Sequence, residues 1–139
     1  MLRISITSEP RLLHVLRGVV RWLAAAKGFP APDAECLAMA IDEAATNIIR
    51  HSYGNRADAK LALTVQAFPN RMEFVLEDQA PKVQGGFKPR PLEEIRPGGL
   101  GTYFINCFMD EVGYDDVPEG NRLRLVKYFP RKDSAANES

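Results

Sequence analysis

Three polar side chains, Glu43, Asn47 and His51, stand four residues apart in the stretch Met39–Tyr53. Apolar residues Leu37, Ala40, Ile41, Ala44, Ala45, Ile48 and Ile49 recur around them at helical spacing. Four residues turn a helix by about 40° beyond a full circle, so an acid, an amide and an imidazole share one face. A solvated surface helix is one reading of that row, although such faces more often carry Lys/Glu pairs. The other reading is chemical. A carboxylate can take a proton from a hydroxyl or a water, and an amide oxygen suits a hard divalent cation. A second group lies in Pro97-Gly98-Gly99-Leu100-Gly101, which runs into the apolar stretch Thr102–Met109. Glycines let backbone N–H groups approach an anion. A helix N-terminus adds about half a positive charge and unpaired donors, which suits phosphate. Taken alone, Gly-Gly-x-Gly is equally a flexible loop ending at a helix. A third group, Glu77-Asp78, closes a strand-like run between the other two. The three together favour chemistry over an ordinary surface.

Residues 2–6 alternate apolar and polar, as a half-buried strand does. Thr7-Ser8-Glu9-Pro10 supplies capping groups for a helix carrying Leu13, Leu16, Val19, Val20 and Leu23 as far as Gly28. Within it His14 reads as structural or surface, and Trp22 as core or interface. Asp33 is the expected N-cap of the second helix, which ends near Ser52-Tyr53-Gly54-Asn55. Residues 60–68 and 71–77 form two strands joined at Pro69-Asn70. Residues 80–99 hold four prolines and four glycines, a length that marks a functional or disordered loop. It reads as a lid, whose Lys82, Lys88, Arg90 and Arg96 meet solvent, phosphates or a partner. After a helix over 100–110, residues 111–115 and 122–129 form two more strands around a turn at Glu119-Gly120-Asn121. The fold class is α/β, a two-layer sandwich: a mixed, mostly antiparallel sheet of about five strands with three helices on one face.

The 139 residues suit one domain over 1–130 with a frayed tail over 131–139. An apolar share of 45% and a charged share of 26% are those of a globular protein. Eighteen basic against eighteen acidic residues give no general attraction to nucleic acid or membrane. Cys36 and Cys107 have no metal or redox spacing and read as small core residues in a reducing compartment. With no signal-like or 18-residue apolar run, the expected location is cytoplasmic.

In order and spacing, the three segments resemble the GHKL ATPase superfamily, and within it the anti-sigma-factor serine-protein kinases. Glu43-Ala-Ala-Thr-Asn47-Ile-Ile-Arg-His51-Ser-Tyr53 matches that family's N box, Glu-x-x-x-Asn-x-x-x-His-x-Tyr. Glu77-Asp78-Gln79-Ala80-Pro81 is similar to its first glycine box, and Gly98-Gly99-Leu100-Gly101 with Ile105 and Met109-Asp110-Glu111-Val112 to its second. One position departs: Ala80 stands where the family usually has glycine.

The resemblance implies a histidine-kinase-like ATPase fold with ATP and Mg²⁺ as cofactors. Glu43 would be the catalytic base and Asn47 the Mg²⁺ ligand. Asp78 would read the adenine amino group, with Ala80 in its box. Gly98, Gly99, Leu100, Gly101 and Thr102 would lie along the phosphates. His51 and Tyr53 would either support the helix end and ribose region or touch nucleotide. No phospho-accepting histidine helix accompanies these motifs, so the phosphate acceptor would be another protein. The implied partners are a serine or threonine of a STAS-type anti-sigma-factor antagonist, a sigma factor held by sequestration, and a second copy in a homodimer. A partner-switching module with little or no nucleotide turnover is the alternative, motivated by Ala80. A kinase acting on a different signalling partner is another.

Overall fold

The computed structural model describes residues 1–82 and 100–130, with the backbone alone for 100–103. The elements run β1 (Leu2–Thr7), α1 (Leu13–Ala26), α2 (Ala31–Asn47), β2 (Lys60–Ala67), β3 (Arg71–Asp78), α3 (Leu100–Phe108), β4 (Glu111–Tyr114) and β5 (Asn121–Tyr128). A 3₁₀ turn, Pro10–Leu12, leads into α1, and a π-helical turn, Ile48–Ser52, extends α2. The sheet order is β1-β2-β3-β5-β4, antiparallel at every pairing. This is the expected two-layer α/β sandwich of five strands and three helices.

Alternation along the strands assigns the faces. Leu61, Leu63 and Val65 of β2 pair across the ladder with Asp78, Leu76 and Phe74 of β3, which pair in turn with Asn121, Leu123 and Leu125 of β5. The apolar members of these rungs join one core with Leu16, Val20 and Ala24 of α1, a stripe from Ala34 to Ala45 on α2, and Ile105 of α3. Each Leu, Ile, Val, Phe or Met among them contributes about 1.5–3 kcal/mol on burial, and each alanine less. The alanines of α2 let that helix settle deep, with α1 and α3 both packed against it. Salt bridges Arg17–Asp42 (2.5 Å) and Arg21–Glu35 (2.5 Å) tie α1 to α2 along their rim.

The other sheet face carries Ala62, Val75 and Val126, buried although they lie outside the helix-facing core. Arginines cross over them to acidic partners. Arg3 and Arg122 reach Glu77 (2.6 and 3.2 Å), Arg71 reaches Glu73 (2.8 Å), and Arg124 bonds Glu73 and Asp115 (2.7 Å to the latter). Arginine stems cover apolar area while their heads stay wet, so the lattice closes a face that no helix covers among the described residues.

Four expectations change. The N-cap of α2 is Pro30, with Pro32 and Asp33 in the first turn; proline's fixed φ and missing N–H suit the first helical turn, so the helix begins before Asp33. Cys107 is exposed and Cys36 half-buried, because each sits on a flank of its helix and off the core stripe. Trp22 is 70% exposed, which removes it from the core. Asp78 is the last residue of β3 rather than a residue beyond it. His14 is exposed, as a surface residue. The tail over 131–139 and most of the expected lid, with Lys88, Arg90 and Arg96, lie outside the described residues.

The Arg3 guanidinium, followed by Arg122, holds the Glu77 carboxyl below the ordinary glutamate range against a smaller opposing effect of burial. A lowered acid gives stability that is whole above the unfolded value, about 4.3, and is lost as pH falls through the folded one. Urea unfolding at pH 7 and at pH 3.5 is therefore expected to show a loss of stability in acid that Glu77→Gln reduces.

Candidate functional site

Glu43 and Asn47 are both half-buried on α2, one turn apart, and His51 is exposed on the π-helical turn beyond them. The local sequence explains this placement. Ala40, Ile41, Ala44 and Ala45 take the buried side of α2, which leaves the 43/47 row at the margin of the core. The row stops at Gly54 and Asn55, whose φ values of +57° and +65° are left-handed and end the helix. Asn55 N–H reaches back to the Ile49 carbonyl at 2.8 Å.

Asp78 ends β3 on the helix-facing side, continuing the buried row Met72, Phe74, Leu76. Period two splits the Glu77-Asp78 pair: Glu77 belongs to the arginine lattice, and Asp78 lies under the helices at 7% exposure. Two donors converge on its Oδ1, the Ala80 N–H at 2.9 Å and Asn121 Nδ2 at 2.9 Å. Oδ2 takes neither of them and keeps its acceptor capacity. Burial pushes the Asp78 carboxyl above the ordinary aspartate range, while Asn121 and the Ala80 N–H pull it back. Asn121 also donates to the Pro81 carbonyl at 3.1 Å, which folds the chain after β3 back over the carboxylate. By its place in Glu119-Gly120-Asn121, Asn121 is expected only as a turn residue. Its pairing opposite Asp78 is the signal that finds it, and that pairing exists only in the sheet.

Ala80 is buried at 5% and its methyl joins the core. Among the described residues the non-glycine with left-handed φ is Asn55, so alanine at 80 carries no backbone strain. Gly120 is the glycine this site requires. Its φ is +67°, and a Cβ there would stand 2.2 Å from the Asp78 carbonyl oxygen.

Tyr53 joins the two halves. Its hydroxyl donates to the Lys60 carbonyl and accepts from the Gln79 N–H, both at 2.6 Å. The end of the 43/47/51 row is thereby bonded to the residue after Asp78. Leu100, Gly101 and Thr102 form the first turn of α3, which packs against α2. Gly98 and Gly99 lie outside the described residues. Lys82 Nζ donates to the Val117 carbonyl, a role within the fold. Among the described residues no group of three or more His, Cys, Asp or Glu side chains could hold a metal, and no helix is long and apolar enough to cross a membrane. The donor set fits Mg²⁺ held by Asn47 together with ligand oxygens and water, since Mg²⁺ takes few protein ligands.

An antiparallel half-sandwich with a pinned aspartate at an inner strand end, whose next residue bonds the tyrosine that follows an acid/amide helix, fits a nucleotide-binding class of domain. Residues 6–127 match the family described as Histidine kinase-like ATPase domain, and the chain belongs to that family. More particularly, it is similar to serine-protein kinases RsbW. It is 27% identical to that of Bacillus velezensis and 23% to that of Bacillus subtilis, in each case over 92% of this chain and 85% of the relative. Among solved structures it resembles the RsbU and RsbW domains of a Mycobacterium tuberculosis protein, with TM-score 0.62, 16% identity and 93% of this chain covered. It also resembles a blue-light activated histidine kinase of Erythrobacter litoralis EL346, with TM-score 0.54, 16% identity and 76% covered. These two likenesses show the fold, and the chain spans 33% of the length of each.

Two outcomes are expected of the site. An acid raised by burial costs stability while ionised, and that cost disappears as pH falls through the raised value. Asp78→Asn should therefore fold with a Tm at pH 7 equal to or above the parent's, its Oδ1 still taking the Ala80 and Asn121 donors. Its affinity for ATP should fall about 10- to 100-fold, because an amide donor replaces the free acceptor; calorimetry checks both. Gly120→Ala should lose about 2 kcal/mol or more in urea unfolding, and the displaced Asp78 carbonyl should weaken ATP binding in the same variant.

Proposed function

We propose that this chain is an ATP-dependent serine/threonine-protein kinase and anti-sigma factor. It phosphorylates a STAS-type anti-sigma-factor antagonist and sequesters a sigma factor, as a cytoplasmic homodimer. The observation that carries the reading is the Asp78 carboxylate: buried, with two donors on Oδ1 and neither on Oδ2, and followed by Gln79, whose N–H bonds the Tyr53 hydroxyl beyond the helix bearing Glu43 and Asn47. Similarity to serine-protein kinases over most of both chains supports the same chemistry.

An acceptor at the Asp78 Oδ2 position suits the exocyclic amine of adenine and opposes the 6-oxo group of guanine. Asn47 would offer its amide oxygen to Mg²⁺, which when bound neutralises phosphate oxygens. The backbone amides of Leu100, Gly101 and Thr102, at the start of α3, and those of Gly98 and Gly99 before them in the sequence, would face the phosphates. Glu43, one turn from Asn47, would orient the acceptor hydroxyl and take its proton. The hydroxyl oxygen then bonds to the γ-phosphorus, the bond to the β-bridging oxygen breaks, and ADP leaves. His51, exposed at the row's end, would border the ribose side of the site. Trp22, standing free on α1 with Val15 49% exposed, offers apolar area to the second copy.

The test mixes the protein with ATP, Mg²⁺ and a cognate antagonist and follows phosphoserine or phosphothreonine by mass spectrometry. Glu43→Gln should reduce kcat about 10²- to 10⁴-fold with ATP affinity retained. An unchanged rate in that variant, or no phosphoprotein from the parent, would refute the assignment.

A further inference from the structure

The β2–β3 ladder ends in an unusual way. Its last rung pairs Leu61 with Asp78. Continuing the register would set Lys60 opposite Gln79, and here a side chain from another element stands between them. The Tyr53 hydroxyl takes the Gln79 N–H and gives its own proton to the Lys60 carbonyl, each at 2.6 Å. The phenol oxygen thus extends the ladder by one step while holding the two strands apart. That separation lets the chain part from its β2 partner after β3, at Gln79, and turn, so that the Ala80 N–H can return to Asp78 Oδ1.

Tyr53 is itself held from behind. It is 8% exposed, and its N–H bonds to the Ile48 carbonyl at 3.0 Å, the five-residue step of a π turn. A π turn winds less per residue than an α-helix. The extra residue swings Tyr53 from the flank of α2 onto the side facing the sheet. Lys60 lies at the start of β2, and the loop before it is pinned by Ser8, which is fully buried. Ser8 Oγ accepts the Ala59 N–H (3.1 Å) and donates to the Arg56 carbonyl. The strut therefore stands on fixed ground at both ends.

We propose that Tyr53 is the positioning residue of the nucleotide site: its hydroxyl sets the register between the Glu43/Asn47 helix and the Asp78 end of β3, and so decides how tightly and how selectively adenine is held. This rests on the ATP reading above. Without the hydroxyl, Gln79 and Lys60 lose their shared partner, the turn over Asp78 loosens, and the Oδ2 acceptor is no longer held at one distance from the helix that places the phosphates. The chemistry at Glu43 is untouched once nucleotide is bound.

The experiment compares the full chain with Tyr53→Phe, with Val65→Ala as a control that removes core volume away from the strut. ATP and GTP affinities are measured by calorimetry, and KM and kcat by phosphotransfer. Tyr53→Phe should weaken ATP about tenfold, lower the ATP/GTP preference by a similar factor, raise KM for ATP and leave kcat within about twofold. Val65→Ala should lose thermal stability with both nucleotide affinities unchanged. An unaltered ATP/GTP ratio in Tyr53→Phe, or the same shift in Val65→Ala, overturns the proposal and leaves the ATP reading standing. A parent protein that binds no ATP overturns both. If Tyr53→Phe does not fold, 3,5-difluorotyrosine at position 53 keeps ring and hydroxyl but ionises in a milder range. Asp78 from β3 and Arg56 from the loop between the π turn and β2 are the charged groups acting on that hydroxyl. Once ionised it can accept from Gln79 and no longer donate to Lys60. ATP affinity should then fall with rising pH where the parent's is flat, and a flat profile overturns the proposal.

Discussion

A carboxylate under a layer of helices persists only where donors are arranged around it. Asp78 occupies the place in β3 where alternation calls for a fourth apolar side chain after Met72, Phe74 and Leu76. Burying an ionised group without partners costs several kcal/mol, so everything near the end of β3 is bent toward supplying them. Asn121 faces it across the β3–β5 ladder, the chain turns to bring the Ala80 N–H back, and Gly120 leaves room for the Asp78 carbonyl. Oδ1 takes both donors, and Oδ2 takes neither of them. That asymmetry is made by the same bonds that make the burial tolerable.

The two faces of the sheet solve different problems. The helix-facing side is an ordinary apolar core, and its regularity lets a single polar row end in a site. The outer side is closed by arginine stems and acid partners over three small apolar residues. Its charges are consumed in pairs. Arg3, Arg122 and Arg124 therefore serve the sheet, while Asp78 lies on the other side, under the helices that include the one bearing Glu43 and Asn47. The neighbours Glu77 and Asp78 show this most directly. They differ by one position and one methylene, and the pleat sends them to opposite fates.

Much of this was legible from residue spacing. The four-residue interval of Glu43 and Asn47, the strand over residues 71–77, and the glycine turns at 54 and 120 each follow from local backbone geometry, which a linear pattern encodes; the π turn over Ile48–Ser52 takes His51 out of that α-helical phase. Asp33 is a good N-cap by type, but Pro30 and Pro32 fix the first turn of α2 ahead of it. Both cysteines were assigned to the core by residue-type preference; helix phase put them on flanks.

The sequence alone therefore determined the class of fold and which residue types could act, since periodicity and turn chemistry depend on neighbours along the chain. Tertiary structure alone decided that Asn121 would grip Asp78 across 43 residues, that Tyr53 would stand between Lys60 and Gln79, and that Ala80 would sit without strain. Those outcomes depend on strand register and on a π turn's extra residue. Both are settled by the packing of distant segments against one another, which no local pattern records.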